Sequence, residues 1–180
     1  MFSKILIANR GEIGVRVIKT CKRMGVKTAI VYSEADADSL AVEMADEAVF
    51  IGGAPASESY LVQDKIIDAV RKTGAEAVHP GFGFLSENPV FARRLEEEKI
   101  TFIGPNPFAS ESMGDKITSK EFAAKAGVST VPGHMGLIEE TEEAVRISGE
   151  IGYPVMIKAS AGGGGKGIRV AYDDAEVREG

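Results

Sequence analysis

Apolar residues recur along this chain in two rhythms. Short runs with few polar interruptions, Lys4–Ala8 (KILIA), Lys27–Tyr32 (KTAIVY), Ala48–Gly52, Ala75–His79 and Thr101–Ile103, read as strands buried in a sheet. Between them lie segments with helical spacing. Ile13, Val17, Cys21 and Met24 form one apolar stripe, closed by Gly25, and Ile66, Ile67 and Val70 form another within Leu61–Lys72, closed by Gly74. A short helix near Leu40–Ala45 follows the acidic stretch Glu34–Asp38. Asn88-Pro89 opens a further helix, with Asn as N-cap and Pro at the first helical position. Strand and helix alternate through residues 1–103, the pattern of an open parallel sheet covered on both faces. A doubly wound α/β domain is expected there.

The rhythm changes after Gly104-Pro105-Asn106-Pro107. Asp115 is expected to cap a helix running to about Ala126 and stopped by Gly127. Thr141–Gly149 reads as another helix, with Glu142 and Arg146 paired one turn apart. A buried strand Pro154–Lys158, a loop Ala159–Gly167, a strand Ile168–Tyr172 and an N-cap at Asp173 or Asp174 follow. Two strands with so few helices cannot bury their own faces. The expected organisation is one domain over 1–104 and an incomplete second domain over 105–180.

Composition removes several function classes. At 44% hydrophobic the 180 residues are not disordered, and 21 Gly without a three-residue period exclude collagen. No apolar run is long enough to span a membrane, and the first residues carry no signal or transit pattern. A single cysteine, Cys21, excludes a disulfide framework and fits a reducing, cytoplasmic setting. Its place on the buried stripe makes it core and not a nucleophile. The net charge of −6, with no basic stripe, argues against nucleic acid as a partner. No Ser-His-Asp arrangement or zinc spacing occurs.

Glycines carry the candidate chemistry. Asn9-x-Gly11-x-x-Gly14 departs from the dinucleotide fingerprint G-x-G-x-x-G only at its first position, and Glu34 would have to bind the ribose. Arg10 and Glu12 put bulk and opposite charges into that turn, so a tight strand-to-helix turn, with Gly14 letting helix and sheet approach, is the simpler reading. The run His79-Pro80-Gly81-Phe82-Gly83-Phe84-Leu85-Ser86-Glu87-Asn88 follows the fourth strand, at the sheet end where ligands bind, although it also reads as an irregular loop pinned by Pro80. His79 has no second metal ligand near it.

The segment Ala159–Gly167 holds Gly162, Gly163, Gly164 and Gly165 followed by Lys166. Successive unobstructed N–H groups make a nest for phosphate oxygens. The loop is not a Walker A motif: Ser160 stands where its first Gly belongs, Gly167 replaces Ser/Thr, and strands flank it on both sides. A flap closing over a nucleotide fits this pattern, with a flexible linker as the alternative. Lys116, in the first turn of a helix, and Lys158, ending a strand directly before the glycines, are candidate anion ligands. Either alone also reads as a solvated lysine.

Taken together these motifs resemble the biotin carboxylase family, the ATP-dependent subunits or domains of acetyl-CoA, propionyl-CoA, methylcrotonyl-CoA and pyruvate carboxylases. The residues that carry the resemblance are Ile7-Ala8-Asn9-Arg10-Gly11-Glu12-Ile13, the run at 79–88, Phe102-Ile103-Gly104-Pro105, Met113-Gly114-Asp115-Lys116, Gly152-Tyr153-Pro154-Val155 and Ile157-Lys158-Ala159-Ser160 with the glycine loop. The propionyl-CoA type is closest in look. The resemblance implies a Rossmann-like domain followed by the start of an ATP-grasp domain. It implies activation of bicarbonate by MgATP to carboxyphosphate and carboxylation of biotin. Lys116 and Lys158 fall on the family's ATP-binding lysines, and Gly162, Gly163, Gly164, Gly165 and Lys166 on its phosphate-covering flap. Phe82 and Gly83 fall where biotin approaches; a Tyr is common where this chain has Phe82, so no hydroxyl contact is available there.

The family's metal ligands, bicarbonate-binding groups and catalytic Arg lie beyond residue 180. The chain alone is therefore expected to hold no catalytic residue, to bind ATP weakly and not to carboxylate biotin. Implied partners are a biotin carboxyl carrier domain, a carboxyltransferase subunit and further copies of the same chain. Another ATP-grasp ligase and a nicotinamide-dinucleotide-binding domain are the alternatives.

Overall fold

The computed structural model describes residues 1–114, 116–129, 133–134, 136–159 and 167–179, with the backbone alone at 116 and 117. It divides into two compact units, Met1–Gly114 and Asp115–Gly180.

Unit 1 is built on five parallel strands, β1 (Lys4–Ile7), β2 (Lys27–Ser33), β3 (Glu47–Gly52), β4 (Ala77–His79) and β5 (Thr101–Phe102), in the order β3-β2-β1-β4-β5. Central β1 pairs with β2, Lys4 opposite Lys27, and with β4, Ile5 opposite Ala77. Because side chains alternate along a strand, β1 feeds two cores. Ile5 and Ile7 pack with Val17, Ile18 and Cys21 of α1 (Gly11–Met24) and Ala41 of α2 (Leu40–Met44). Leu6 and Ala8 join the other face, with Ile66, Ile67 and Val70 of α3 (Gln63–Thr73) and Phe91 and Leu95 of α4 (Pro89–Glu97). This is the expected doubly wound α/β sheet.

Local chemistry sets the boundaries. Gly25 and Gly74 end α1 and α3 in the left-handed conformation, at φ +70° and +65°. Asn88 caps α4, its side chain accepting from Phe91 N at 2.9 Å. Gly14 lets α1 lie against the sheet: a Cβ there would sit 2.8 Å from Ile30 Cδ1 and 3.2 Å from Ala41 Cβ.

Four details differ from the sequence reading. Met24 is 53% exposed, because the stripe runs through Gly14, Val17, Ile18 and Cys21 and the chain turns at Gly25, leaving Val26 to take the next buried place. A helix absent from the expectation, α5 (Pro107–Gly114), follows β5. Its start repeats the Asn88-Pro89 signal, with Asn106 Oδ1 accepting from Ala109 N at 2.8 Å. In unit 2, Glu142 does not pair with Arg146. It accepts a two-pronged contact from Arg178 at 3.0 and 3.1 Å, a geometry that suits a guanidinium fork better than a pair along one helix. Arg146 turns to Glu150 at 2.6 Å instead. The fourth difference is burial: the strand ending at Lys158 is half exposed, with Met156 at 56%.

Unit 2 contains α6 (Lys116–Lys125), α7 (Thr141–Ile151), the antiparallel strands β6 (Val155–Lys158) and β7 (Ile168–Ala171), and α8 (Asp174–Glu179). Asp173 caps α8 by accepting from Glu176 N at 2.9 Å, while Glu176 accepts from Tyr172 N at 2.8 Å. Its core among the described residues is small: Val145, Ala171 and Val177, flanked by Ala144, Tyr153, Val155 and Ile157. Asp115 lies outside the described residues.

Candidate functional site

The carboxyl ends of β1 and β4 are neighbours, yet β1 leads to α1 on one face of the sheet and β4 leads to α4 on the other. Such a switch point is where open α/β sheets leave a crevice for a ligand. Here side chains of the protein occupy it. Asn9, only 3% exposed, donates from Nδ2 to the carbonyls of Pro80 and Phe82, both at 2.8 Å, and its Oδ1 accepts from Arg10 N at 2.9 Å. His79 Nδ1 accepts from Gly81 N at 3.0 Å, which fixes that nitrogen as unprotonated in the neutral ring. Burial, and secondarily the Arg16 charge, hold the His79 pKa below its ordinary value.

Arg10 closes the outer side. Its guanidinium lies 5.6 Å from the ring centroids of both Tyr60 and Phe84, which stack on each other at 4.8 Å and 10°. Asp36 Oδ2 accepts from Tyr60 OH and Ser33 Oγ, each at 2.7 Å, and from Arg10 Nη1 at 3.4 Å. Burial pushes the Asp36 carboxyl upward, but the Ser33 and Tyr60 hydrogen bonds and the Arg10 charge together outweigh it and hold the pKa below the usual value. The Tyr60 phenol is pushed up to about 12 by burial and by its bond to Asp36.

This arrangement speaks against dinucleotide binding. The crevice a pyrophosphate needs holds Asn9 and Arg10. Glu34, the residue required for ribose, is exposed, and the carboxylate that does reach the turn, Asp36, is occupied by three donors.

The two aromatics of the loop separate. Phe84 turns inward onto Tyr60, with φ +47°, while Phe82 is 76% exposed beside Gly83 at φ +73°. Gly81 is required twice over. It has φ +68°, and a Cβ there would meet Ile13 Cγ2 at 2.6 Å and Asn9 Nδ2 at 2.7 Å. No atom lies within 4 Å of a Cβ placed on Gly83, so its outer side is open. The structure therefore holds Phe82 and Gly83 together on an exposed, fixed turn. A cavity of about 950 Å³ runs along α1 past Glu12, Arg16, Lys19 and Arg23, and a second of about 580 Å³ reaches Cys21 and His79. Neither is lined by Phe82 or Gly83. Burial first, and the Asp46 charge second, raise the Cys21 pKa, as suits a core thiol.

In unit 2 the register sets Met156 opposite Val170 and Lys158 opposite Ile168. Side chains two apart share a face, so Lys158 ends an exposed apolar face made by Met156 (56%), Ile168 (41%) and Val170 (47%). Ala159 N donates to Gly167 O at 2.8 Å, closing the hairpin directly beyond Lys158. Gly167 has φ +70°, and a Cβ there would lie 2.8 Å from Ala159 Cβ. Gly162, Gly163, Gly164, Gly165 and Lys166 lie outside the described residues, as does the side chain of Lys116, whose backbone begins α6.

Residues 1–109 match the family described as biotin carboxylase, N-terminal domain. The chain belongs to the biotin carboxylase family. Residues 115–180 match the ATP-binding domain of the carbamoyl-phosphate synthase L chain. Among curated relatives, the propionyl-CoA carboxylase alpha chain of Ruegeria pomeroyi is 65% identical over 100% of this chain, which spans 26% of that relative's length. Among solved structures, the biotin carboxylase of Campylobacter jejuni in complex with β-γ-ATP is similar with a TM-score of 0.92 and 45% identity, over 99% of this chain and 40% of that one. The biotin carboxylase domain dimer of Hydrogenobacter thermophilus 2-oxoglutarate carboxylase, in complex with MgADP, ADP and bicarbonate, is similar with a TM-score of 0.89 and 52% identity, over 99% and 39%.

Sequence reasoning found the loop of this biotin carboxylase domain but missed what holds it. In the sequence Asn9 stands out only as the failed glycine of a fingerprint and as one member of the motif at 7–13, with no sign of a tie to the loop. Asp36 lay inside an acidic stretch, and Tyr60 carried no local signal at all.

Proposed function

We propose that this chain supplies the N-terminal domain and part of the ATP-binding domain of an ATP- and bicarbonate-dependent ligase that carboxylates biotin through carboxyphosphate. The observation that supports this most directly is the succession of the two family domains over one chain, with 65% identity to an acyl-CoA carboxylase alpha chain. In this reading Lys158 reaches the phosphates of ATP from the end of an apolar face suited to a purine ring, and Lys116 adds a second cation. Gly162, Gly163, Gly164 and Gly165 with Lys166 cover the phosphates, since bare backbone N–H groups follow the oxygens without side chains in the way. Phe82 and Gly83 face biotin.

Mg2+ would neutralise phosphate charge when bound. Among the described residues no three His, Cys, Asp or Glu side chains stand together to hold it, and no step is assigned to metal ligation by them. The carrier domain, the carboxyltransferase and further copies of the chain are the proposed partners. The lone buried thiol of Cys21 suits a cytoplasmic setting.

The test is ADP formation by the complete protein with free biotin and bicarbonate. Lys158→Gln and Lys116→Gln are expected to raise the KM for ATP about tenfold or more each, as loss of a charge-assisted phosphate contact does. Phe82→Ala is expected to raise the KM for biotin alone. ADP formation indifferent to bicarbonate and biotin overturns the reading.

A further inference from the structure

Between His79 and Gly83 the loop has almost no hydrogen bonding of its own. Pro80 has no N–H, Gly81 N is taken by the His79 ring, and the backbone bonds within the loop, Ser86 N to Gly83 O at 2.9 Å and Asn88 N to Leu85 O at 3.2 Å, lie in its second half. Two carbonyls of the first half, those of Pro80 and Phe82, are both held by one amide nitrogen, Asn9 Nδ2, which lies 71 positions before the one and 73 before the other. The orientation of that amide is unambiguous, because Oδ1 meets an N–H donor at Arg10 and Nδ2 meets two acceptors.

From this we infer that Asn9 is the positioning residue of the acceptor loop, setting where Phe82 and Gly83 stand relative to biotin without touching biotin itself. The inference rests on the reading of Phe82 and Gly83 given under the proposed function. Alternative residues fail for separate reasons. Asp offers acceptors where two carbonyls need donors, Ser is too short to reach both, and Gln carries an extra methylene into a place where Gly81 already leaves no room for a Cβ. The second half of the loop is held independently, by Phe84 on Tyr60 with Arg10 alongside and Leu85 in the core. Loss of Asn9 should therefore shift the Phe82 end and leave the rest in place.

The experiment compares Asn9→Ser, Asn9→Asp and Phe82→Ala, singly and combined, in the complete protein. Each Asn9 variant is expected to raise the KM for free biotin between about 10-fold and 100-fold, the effect of displacing a positioning group by about 1 Å. The KM for ATP should stay at the wild-type value. Asn9→Ser combined with Phe82→Ala should cost little more than Phe82→Ala alone, because both changes remove one contact. An unchanged biotin KM, a parallel rise in both KM values, or strict additivity overturns the inference. Amide exchange gives a readout independent of turnover: Asn9→Ser should speed exchange at Gly81, whose N–H the His79 ring holds, and leave Phe91–Leu95 protected. Unchanged exchange in the loop also overturns it. Wild-type protein that forms no ADP in response to biotin counts against the functional reading, and the exchange result then decides the role of Asn9.

Discussion

The two units differ in how deeply they bury their strands. In unit 1 the strands are covered on both faces, and Leu6, Ile7, Ile18, Ile66, Phe91 and Leu95 are fully buried. The loop bearing Phe82 grows out of that core through Asn9, Tyr60 and Leu85. In unit 2 the described core is three residues, Val145, Ala171 and Val177, and the hairpin bearing Lys158 shows an apolar face to solvent. A rigid core can fix a group of atoms to within a fraction of an ångström. A thin one positions backbone through strand pairing and caps, and relies on further burial for the rest. One chain thus carries a loop that is set by the packing of its own unit and a hairpin that its unit only outlines.

The strongest way to break this contrast is to empty both cores. Leu6→Ala is expected to cost about 2–5 kcal/mol, the range for a buried Leu that leaves a cavity, whereas Val177→Ala should cost about 1–2 kcal/mol, from two methyl groups in a shallow cluster. Two units need not unfold together, so amide exchange read separately in β1 and β7 is the appropriate measurement. Equal losses would mean that the two cores are alike.

Gly81 and Gly83 sharpen the contrast within unit 1. Gly81→Ala should lose about 3 kcal/mol, from left-handed strain together with collision against Ile13 and Asn9. Gly83→Ala should lose about 1 kcal/mol, the strain alone. Chemical denaturation followed by a unit 1 probe distinguishes them, and the idea of a tightly backed loop is wrong if Gly83 proves the more sensitive.

Titration probes the same backing more gently. The His79 pKa is depressed in the folded state, so the unfolded chain binds the proton more readily. Stability is full above about pH 6.5, the ordinary histidine value, and falls as pH drops through the lower folded value. His79→Gln should flatten the melting temperature of unit 1 between pH 7.5 and about 5, where the wild type declines. The Asp36 carboxylate, also depressed, contributes stability above the ordinary aspartate pKa of about 3.9 that is lost as pH falls below it. Asp36→Asn should differ from wild type at neutral pH and converge with it in acid. The smallest effect belongs to unit 2. Arg178→Ala removes the two-pronged contact to Glu142, but both side chains are exposed, and the melting temperature should hardly move.

The sheet, most of the helices and the loop at 79–88 are legible in the sequence because each is specified locally. Apolar spacing, a closing glycine or an Asn-Pro pair is enough. The helix over Pro107–Gly114 is missed by the sequence reading, although Asn106-Pro107 repeats the signal that marks Asn88-Pro89. What escapes sequence reading is tertiary: that Glu142 bonds to Arg178 and not to Arg146, and that Asp36, Arg10 and Tyr60 form one cluster. These depend on residues brought together from 24 or more positions apart, and no local pattern encodes them.

The Asn9 amide has one further consequence, for the order of assembly. A loop whose first half is tied to a residue 71 positions away cannot take its shape until β1 and β4 have paired, since before then its fastening is not in reach. A fluorophore or NMR label at Phe82 should accordingly gain its native environment with the closing of the central sheet and not earlier. The turn that faces biotin in our reading would then double as a reporter of when the domain has finished folding.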